Sequence, residues 1–538
     1  MSLITIQIAK GTSHTQTVHC SAGENLLKVL KENNIFIENP CNGKGICGKC
    51  KVRILSGRCN KASQTELQFL REAEIAQGFR LSCLTEVEGD VKIELLEKKR
   101  KHHILASGYL PEFEKDYLRA GYGIALDIGT TTVAMALIDL TTGEEAAQAS
   151  AVNAQKQYGL DVLTRITYEY EHPEEGIQTL QKTIVASLNE MIETLCRQAE
   201  ISGEQIKEIV VAANCTMTHM LLGVDARSIG KSPYQPVFTE ARSVLAKEIG
   251  ILAGEDTTVY CLPHVSSYIG ADVVAGAYVC DLQSCKKNVL FIDIGTNGEI
   301  VLSKAGKLFC CSCAAGPALE GMNISSGMRA GEGAVEDLLI SENGIDLKVI
   351  GDGTPEGLCG SGILAAIKEL LRIKVIKKTG VFIKKEALSD TDFRHPYLRM
   401  HGKKREFLLH ASPEIFVTQN DVRQVQLAKG AIFSGCLVLL KTAGIMLREL
   451  DEVLIAGQFG SHLPADSLIG TGILPKEVRE KLTYVGNSSK TGAYMALLSR
   501  TVRREMEELS LTMEYIELAE TENYERIFAE SMLFPECK

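Results

Sequence analysis

Cys41-Asn-Gly-Lys-Gly-Ile-Cys47-Gly-Lys-Cys50 is a stretch in which three cysteines are interleaved with three glycines. A fourth cysteine, Cys83, follows after a long interval, so the pattern is C-x5-C-x2-C and one distant cysteine. Four thiolates in this arrangement suit a 2Fe-2S cluster, in which each iron is held by two sulfurs. The glycines suit it too, because a chain that wraps closely around a cluster needs positive φ angles and backbone amides that face sulfur. The sequence therefore predicts a 2Fe-2S cluster bound by Cys41, Cys47, Cys50 and Cys83.

Two other interpretations of these cysteines stay open. A structural zinc site prefers paired C-x2-4-C knuckles, and this stretch offers a single such pair, Cys47 and Cys50. The cysteines can also be unligated thiols in the core. A separate group follows much later in the chain, but no second pair lies near it, so we predict a thiol-lined strand there rather than a metal site. That group comprises Cys310, Cys311 and Cys313.

The composition of the 538-residue chain excludes several classes of protein. The hydrophobic fraction of 45% and the charged fraction of 23% are typical of soluble globular proteins, and the length predicts at least two domains. The net charge of -10 disfavours a nucleic-acid partner. We see neither a signal peptide nor a membrane span, because Lys441 interrupts the longest apolar run, so we predict a cytoplasmic protein. Its 17 cysteines then point to cofactor ligation and reduced core thiols rather than disulfides.

The pattern of the first 95 residues predicts a small mixed sheet crossed by one helix. Alternating apolar residues predict a hairpin at 3–8 and 15–19, helical spacing follows at 24–31, and further strands are predicted at 51–55 and 91–95. Together with the cysteine loop, this region resembles ferredoxins of the plant and adrenodoxin type, and the resemblance implies an α+β fold of the β-grasp kind. The five-residue gap between Cys41 and Cys47 matches the adrenodoxin-like branch.

Residues 96–120 show no periodicity. They contain the charged run Glu97-Lys-Lys-Arg-Lys-His-His, followed by Pro111 and mixed polar residues. We predict a solvated linker over 96–120. A docking patch formed by the basic run is the alternative.

Residues 121–538 contain an internal repeat. Asp127-Ile-Gly-Thr-Thr and Asp293-Ile-Gly-Thr-Asn each follow an apolar strand and precede a second strand. Carboxylate oxygens suit a hard cation, and the amides and hydroxyls of a Gly-Thr turn suit phosphate. Since the two turns occupy equivalent places in the repeat, we predict that they clamp Mg2+ and one triphosphate between duplicated lobes at about 121–287 and 288–538.

Strands alternate with helices around the two turns, which predicts an α/β domain. The strand at 209–213 ends at Asn214 in a helix-capping position. The strand at 453–456 ends in a glycine turn, where an adenine can pass the backbone with no side chain in the way. Gly486-Asn-Ser-Ser-Lys-Thr491 lacks the glycine that a P-loop requires before its lysine, so we predict a turn that precedes a C-terminal helix.

This order of elements resembles the superfamily of acetate and sugar kinases, heat-shock chaperones and actin. The resemblance implies two duplicated ribonuclease-H-like lobes with ATP in the cleft between them, and catalytic roles for Asp127 and Asp293. It implies a first phosphate motif at Asp127, Gly129, Thr130 and Thr131, a second at Asp293, Gly295, Thr296 and Asn297, and an adenosine motif at Gly457, Gln458 and Phe459.

A ferredoxin-like N-terminus fused to this ATPase, with Gln155-x3-Gly159-x-Asp161 and Asp421-Val422-Arg423, resembles the reductive activators of corrinoid proteins. The resemblance implies ATP-dependent reduction of Co(II) to Co(I) in the corrinoid-binding protein of a methyltransferase system. It also implies an unknown low-potential electron donor, no membrane or nucleic-acid partner, and a homodimer. Two alternatives stay open: an ATP-gated redox sensor or electron-transfer module with a non-corrinoid partner, and a small-molecule kinase fused to a ferredoxin.

Overall fold

The structure is a computed structural model that describes residues 3–10, 14–33, 35, 37, 45, 50–70, 72–95, 102–105, 108–401, 404–457 and 463–536. The chain divides into two compact units, Met1–Ile104 and Leu105–Lys538.

The first unit is a mixed sheet with a helix packed against it. Its sheet has the order β2-β1-β6-β4-β5, with β3 paired to β6, and β1 and β6 are the parallel neighbours at its centre. Apolar side chains of α1 pack with those of the sheet in one core, which agrees with the predicted β-grasp fold. The predicted hairpin is confirmed as the antiparallel pair β1 and β2. The elements are β1 (Leu3–Lys10), β2 (His14–Ser21), β3 (Glu24–Asn25), α1 (Leu26–Glu32), β4 (Lys51–Cys59), α2 (Glu72–Ala76), β5 (Phe79–Leu81), β6 (Glu86–Leu95) and, across the division between units, β7 (His102–Leu105).

A buried ion pair fixes the chain that leads into Cys83. Arg80 donates to both carboxylate oxygens of Glu66 at 2.9 Å, and the backbone amide of Leu81 donates to the same carboxylate at 3.0 Å. Burial raises the pKa of Glu66, but the hydrogen bonds from Arg80 and from backbone amides lower it by a larger amount. The pKa therefore lies below its ordinary value. The ionised pair therefore ties β5 to the turn at Glu66.

The second unit contains two sheets of the same design. The two sheets share a five-stranded arrangement, in which an antiparallel hairpin is extended by a third antiparallel strand on one side and by two parallel strands on the other, in the orders β11-β10-β9-β12-β14 and β17-β16-β15-β24-β25. Strand β13 extends the first sheet beyond β14, and β26 and β8 extend the second at its two ends. The predicted duplication of an α/β lobe is thus present as a repeated topology.

The first half of this unit comprises β8 (Gly108–Pro111), β9 (Tyr122–Ile128), β10 (Thr132–Asp139), β11 (Glu145–Val152), α3 (Val162–Glu171), α4 (Gly176–Ala199), β12 (Ile206–Ala213), α5 (Cys215–Leu222), β13 (Arg242–Leu245), β14 (Thr258–Cys261) and α6 (Ala271–Val279). The second half comprises β15 (Asn288–Ile294), β16 (Gly298–Lys304), β17 (Lys307–Cys313), β18 (Ala334–Ser341), β19 (Gly344–Val349), β20 (Gly357–Leu358), α7 (Gly360–Arg372), β21 (Leu398–His401), β22 (Lys404–Ala411), β23 (Glu414–Thr418), α8 (Gln419–Ala443), β24 (Glu452–Ala456), α9 (Ala465–Gly470), β25 (Leu482–Gly486), α10 (Ser488–Leu498), α11 (Arg500–Thr512), β26 (Glu514–Tyr515) and α12 (Tyr524–Ser531).

Helices α6 and α10 pack between the two sheets. One apolar cluster joins Ala125 of the first sheet and Phe291 of the second to both helices. The helices approach closely because Gly492 has no side chain: a Cβ there would lie 2.5 Å from the Cβ of Ala275. Outer helices cover the opposite faces of the sheets, α4 and α5 on the first and α7 and α8 on the second.

Part of the predicted linker 96–120 is folded into the second unit. The division between units follows Ile104, and β8 pairs with β25. The carboxylate of Asp116 accepts the backbone amides of Arg500 and Thr501 at 2.7 and 3.1 Å. These contacts join residues far apart in sequence, which is why the local pattern of 108–120 showed no periodicity.

Helix α8 is, in the described part of the chain, the one helix long and apolar enough to cross a membrane. However, 72% of the apolar 18-residue stretch within this helix is buried inside the fold. Its apolar side chains belong to the core of the second lobe, which accounts for its hydropathy.

Candidate nucleotide cleft and cluster site

The two Gly-Thr turns occupy equivalent places in the two sheets. Asp127 lies near the carboxyl end of β9, and the Gly129 amide donates to the Thr132 carbonyl at 2.9 Å to close the turn. Asp293 lies near the carboxyl end of β15, and the Gly295 amide donates to the Asn297 carbonyl at 3.0 Å. The register is equivalent too, since Asp127 is opposite Ala212 of β12 and Asp293 is opposite Ala456 of β24.

Both turns line one cleft of the second unit. Every described residue of the predicted phosphate and adenosine motifs is in its lining: Asp127, Gly129, Thr130, Thr131, Asp293, Gly295, Thr296, Asn297 and Gly457. Gln458 and Phe459 of the predicted adenosine motif lie outside the described residues, as do Cys41 and Cys47 of the predicted cluster ligands.

The hydroxyls of the two turns are in direct contact. Thr131 Oγ1 and Thr296 Oγ1 are 2.8 Å apart, and the Thr296 hydroxyl donates to Glu320 Oε1 at 2.6 Å. Asn214 caps α5 as predicted, accepting the Met217 amide at 2.9 Å, and its amide nitrogen donates to Thr130 Oγ1 at 3.1 Å. The hydroxyls that a phosphate would use are therefore already ordered by protein groups.

Asp127 is held by the start of α10. Asn487 Nδ2 donates to one of its carboxylate oxygens at 2.8 Å and Ser489 Oγ donates to the other at 3.0 Å. Burial raises the pKa of Asp127, and the two hydrogen bonds and the nearby Lys490 lower it less than burial raises it. Asn487 also caps α10, since its Oδ1 accepts the Lys490 amide at 2.8 Å. The segment 486–491, which lacks the glycine that a P-loop requires, therefore contributes to the cleft by orienting Asp127.

We expect Asn487→Ala to weaken Mg-ATP binding about 10-fold, because a hydrogen bond to a charged group contributes roughly 1.5–3 kcal/mol. Asn487→Asp keeps a capping oxygen but places a second carboxylate against Asp127, so we expect it to weaken binding more than the alanine variant does. Isothermal titration of the full chain with Mg-ATP measures both. Asn343→Ala, on an exposed turn, is the matched control, and equal affinities for all four proteins would contradict the assignment.

Five acidic side chains line the cleft: Asp127, Asp272, Asp293, Glu299 and Glu320. Burial, followed by Asp272 and Asp127, raises the pKa of Asp293 to about 8. Burial and then Asp127 raise the pKa of Asp272 to about 7, and burial followed by Asp272 and Asp293 raises the pKa of Glu299 well above its ordinary value. Such mutual repulsion is relieved by a bound cation, so the donor set fits a hard divalent ion.

In the described ranges no three His, Cys, Asp or Glu side chains lie close enough together to hold a metal ion by themselves. Mg2+ commonly takes one or two carboxylates and completes its octahedron with water and substrate phosphate oxygens. The geometry therefore fits an ion that arrives with a nucleotide better than a permanently caged metal.

Gly457 has to be glycine because of Asp293. Its φ is +89°, and a Cβ there would lie 2.4 Å from Asp293 Oδ1. The backbone after β24 can thus pass directly over the carboxylate, and the adenosine-binding role of this turn stays a prediction.

Sequence reasoning missed five residues that shape the cleft: Asp272, Glu299, Glu320, Asn487 and Ser489. None belongs to a repeated motif. Asp272 lies in the first turn of α6 and Asn487 immediately precedes α10, so each reaches the cleft through a helix that packs between the sheets. A sequence signal was present only at Asn487 and Ser489, which both lie in the P-loop-like segment.

Two of the predicted cluster ligands are described, and the fold brings them together. Cys50 immediately precedes β4 and Cys83 lies in the turn after β5, and their sulfurs are 3.2 Å apart and buried. The Ser82 amide donates to the Cys50 carbonyl at 2.8 Å, which fixes one turn against the other. Gly45 has φ +74°, as expected for a glycine in this loop. Two buried thiols without a disulfide between them fit a sulfur-ligated iron cluster.

Strand β17 carries the second group of cysteines. Cys310, Cys311 and Cys313 are all buried, and Cys313 donates to the Gly298 carbonyl at 3.0 Å. Burial raises the pKa of all three thiols. These are the properties of unreactive core thiols.

Family comparisons cover almost the whole chain. The 2Fe-2S iron-sulfur cluster binding domain matches residues 10–88, the RACo middle region matches residues 122–285, and the C-terminal domain of RACo, the ASKHA domain, matches residues 287–538. The chain therefore carries a 2Fe-2S binding domain and an actin-like ATPase domain that binds ATP.

Individual relatives agree with these matches. The corrinoid activation enzyme RamQ of Eubacterium limosum is 36% identical over 420 residues, 76% of this chain and 70% of that protein. A [Co(II) methylated amine-specific corrinoid protein] reductase of Methanosarcina barkeri is 24% identical over 76% of each chain. A solved structure described as a reductive activator for corrinoid, iron-sulfur protein is 31% identical, covers 99% of this chain and 98% of its own, and superposes with a TM-score of 0.71.

Proposed function

The chain belongs to the family of reductive activators of corrinoid proteins, and on that premise we propose that it uses ATP to return a corrinoid protein from Co(II) to Co(I) for methyl transfer. The observation that carries the proposal is the presence, on one chain, of a buried cysteine pair and a two-lobed cleft whose phosphate turns face each other. A kinase or a simple ferredoxin needs one of these features and not both.

The requirement for ATP follows from redox energetics. A ferredoxin-type cluster has a reduction potential of about -400 mV, and the family resemblance implies a lower reduction potential for the cobalt couple. For one electron, each ~59 mV is a factor of about ten in the equilibrium constant. Electron transfer to Co(II) is therefore uphill, and binding or hydrolysis of ATP has to change the protein that receives the electron.

The cluster would be held by Cys41, Cys47, Cys50 and Cys83. When bound, the cluster supplies the single electron. The residues of this chain set its surroundings: Cys50 and Cys83 are fixed by β4 and by the turn after β5, and the Glu66–Arg80 pair secures that turn.

Mg-ATP would lie between the two Gly-Thr turns, with Asp127 and Asp293 directed at the cation, partly through water. The turns at Gly129 to Thr131 and at Gly295 to Asn297 would bind the phosphates, and Gly457, Gln458 and Phe459 would contact the adenosine. A phosphate oxygen inserted there has to replace the 2.8 Å contact between Thr131 and Thr296. Nucleotide binding would thus change the distance between the lobes, and this change would alter the contacts with the docked partner.

The partner would be the corrinoid-binding protein of a methyltransferase system, and reducing equivalents would come from a low-potential donor. We place this process in the cytoplasm and expect a homodimer. The net charge of -10 supports the expectation that nucleic acid is not a partner.

The proposal is tested by mixing the reconstituted full chain with a Co(II) corrinoid protein, Mg-ATP and a reductant. We expect ATP hydrolysis to rise on addition of the corrinoid protein and Co(I) absorbance to appear only with ATP. ADP in place of ATP is the control. An ATP hydrolysis rate that does not change when the corrinoid protein is added, together with no Co(I) absorbance, would contradict this function. That result would favour an ATP-gated redox module with another partner.

A further inference from the structure

Glu320 lies beside both phosphate turns but belongs to neither. It ends the short helical turn Pro317–Glu320, which follows β17, and its side chain lines the nucleotide cleft while being only 2% exposed. Its Oε1 accepts the hydroxyl of Thr296, and that hydroxyl contacts Thr131 of the other lobe. The carboxylate is therefore hydrogen-bonded directly to the second turn and is linked to the first turn through the Thr296 hydroxyl.

The second oxygen of this carboxylate accepts no hydrogen bond from the part of the chain that the structure describes. Glu320 Oε2 is buried and has no hydrogen-bond partner among the described residues. A buried acceptor without a donor costs about 1–3 kcal/mol, and such groups are rare in folded proteins unless a water, an ion or a substrate completes them. An oxygen of this kind inside a nucleotide cleft is placed to accept a hydrogen bond from a bound water.

Close backbone contacts flank Glu320. Gly321 has φ +77°, and a Cβ there would lie 2.2 Å from the Met328 carbonyl. At Gly360, the first residue of α7, a Cβ would lie 1.8 Å from the Leu319 carbonyl. Only glycine fits at these two positions, which lets the backbone on either side of Glu320 pack directly against the carbonyls of Met328 and Leu319.

Glu320 differs from the other buried acids of the cleft in the groups that surround it. Burial is the largest effect on the pKa of all of them, but beyond burial Thr296, Thr131 and Arg329 lower the pKa of Glu320, whereas neighbouring carboxylates raise the pKa of Asp293 and Glu299. Burial is the largest effect and raises the pKa of Glu320 above its ordinary value. A carboxylate with a raised pKa is a better proton acceptor near neutral pH.

We propose that Glu320 is a catalytic residue of the ATPase: its carboxylate orients the attacking water and accepts the proton from it. The water oxygen forms a bond to the γ-phosphorus while the bond from that phosphorus to the β,γ-bridging oxygen breaks. ADP leaves with the electron pair, and the proton taken by Glu320 passes to solvent. This role rests on the proposed function, since it assigns a base to the same cleft.

Glu320→Gln in the reconstituted full chain tests the role. The amide is nearly isosteric and can still meet the Thr296 hydroxyl, but it cannot take a proton. We expect the dissociation constant for Mg-ATP, from isothermal titration, to stay within about threefold of the wild-type value while the hydrolysis rate falls about 100-fold or more. Glu332→Gln changes an exposed glutamate in the turn before β18; this variant is the matched control and should hydrolyse ATP at the wild-type rate.

Hydrolysis by Glu320→Gln at the wild-type rate would overturn the role, and so would parallel loss of ATP binding and hydrolysis. Should the glutamine variant not fold, Glu320→Asp decides: withdrawing the carboxylate by one methylene is expected to slow hydrolysis about 10-fold or more, and a wild-type rate would overturn the role. A wild-type chain that does not bind ATP at all would overturn the proposed function itself, which separates that failure from this one.

Discussion

Cys83→Ser should leave the protein unable to hold its 2Fe-2S cluster and unable to produce Co(I), with ATP binding intact. Serine replaces a soft thiolate by a hard, protonated oxygen, which is a poor iron ligand in a sulfur site. Cys83 is buried beside Cys50, so no water can easily take its place. We expect iron content and the paramagnetic resonance signal of the dithionite-reduced protein to fall sharply, and Co(I) formation to drop by more than about 100-fold.

Cys59→Ser is the matched control for this variant. Cys59 is a free, half-buried thiol at the end of β4 and lies outside the predicted ligand set. It should retain iron and activity. Full iron content in Cys83→Ser would contradict the ligand assignment, and loss of nucleotide affinity in Cys83→Ser would contradict the independence of the two units.

Asp293→Asn should abolish most ATP hydrolysis without destabilising the unliganded fold. The amide has the size of the carboxylate, so it still fits against Gly457, but it carries no charge toward the cation. Loss of one such electrostatic contact in an active site costs about 10²–10³ in rate. At the same time the repulsion with Asp272 and Asp127 is relieved, so the melting temperature without nucleotide should not fall.

Hydrolysis rates measured over a range of Mg2+ concentrations, together with thermal unfolding, check both parts. Asp346→Asn, on the exposed face of β19, is the control and should leave the hydrolysis rate unchanged. A wild-type hydrolysis rate in Asp293→Asn would exclude Asp293 from the machinery, whereas a lowered melting temperature would indicate a structural role instead.

Local patterns were sufficient to predict the sheets and the repeat. The hairpins that hold Asp127 and Asp293 are formed by neighbouring residues, so alternation and a glycine turn reveal them directly. The linker prediction failed over 108–120 for the opposite reason, because Asp116 and β8 find their partners near residue 500 and residue 486.

The same distinction applies to the cleft. The strand-end aspartates and the Gly-Thr turns could be found from sequence because each is part of a compact motif. The amide that orients Asp127 comes from Asn487, 360 positions away, and Glu320 reaches Thr296 through a separate turn. Residues that reach the cleft only through tertiary contacts leave no local pattern in the sequence. Their roles can be recognised only from the folded arrangement of the two sheets and the helices between them.

Because α10 packs on β9 and β12, the inner face of the first sheet is not fully covered until residues 488–498 have been synthesised. This face is synthesised early, yet residues 488–498 emerge roughly 15 to 60 seconds later at common rates of protein synthesis. During that interval the nascent chain exposes an apolar sheet that chaperones have to shield. A chain that terminates prematurely, even just before Asn487, would leave that face open and would be expected to aggregate rather than persist as a shortened activator.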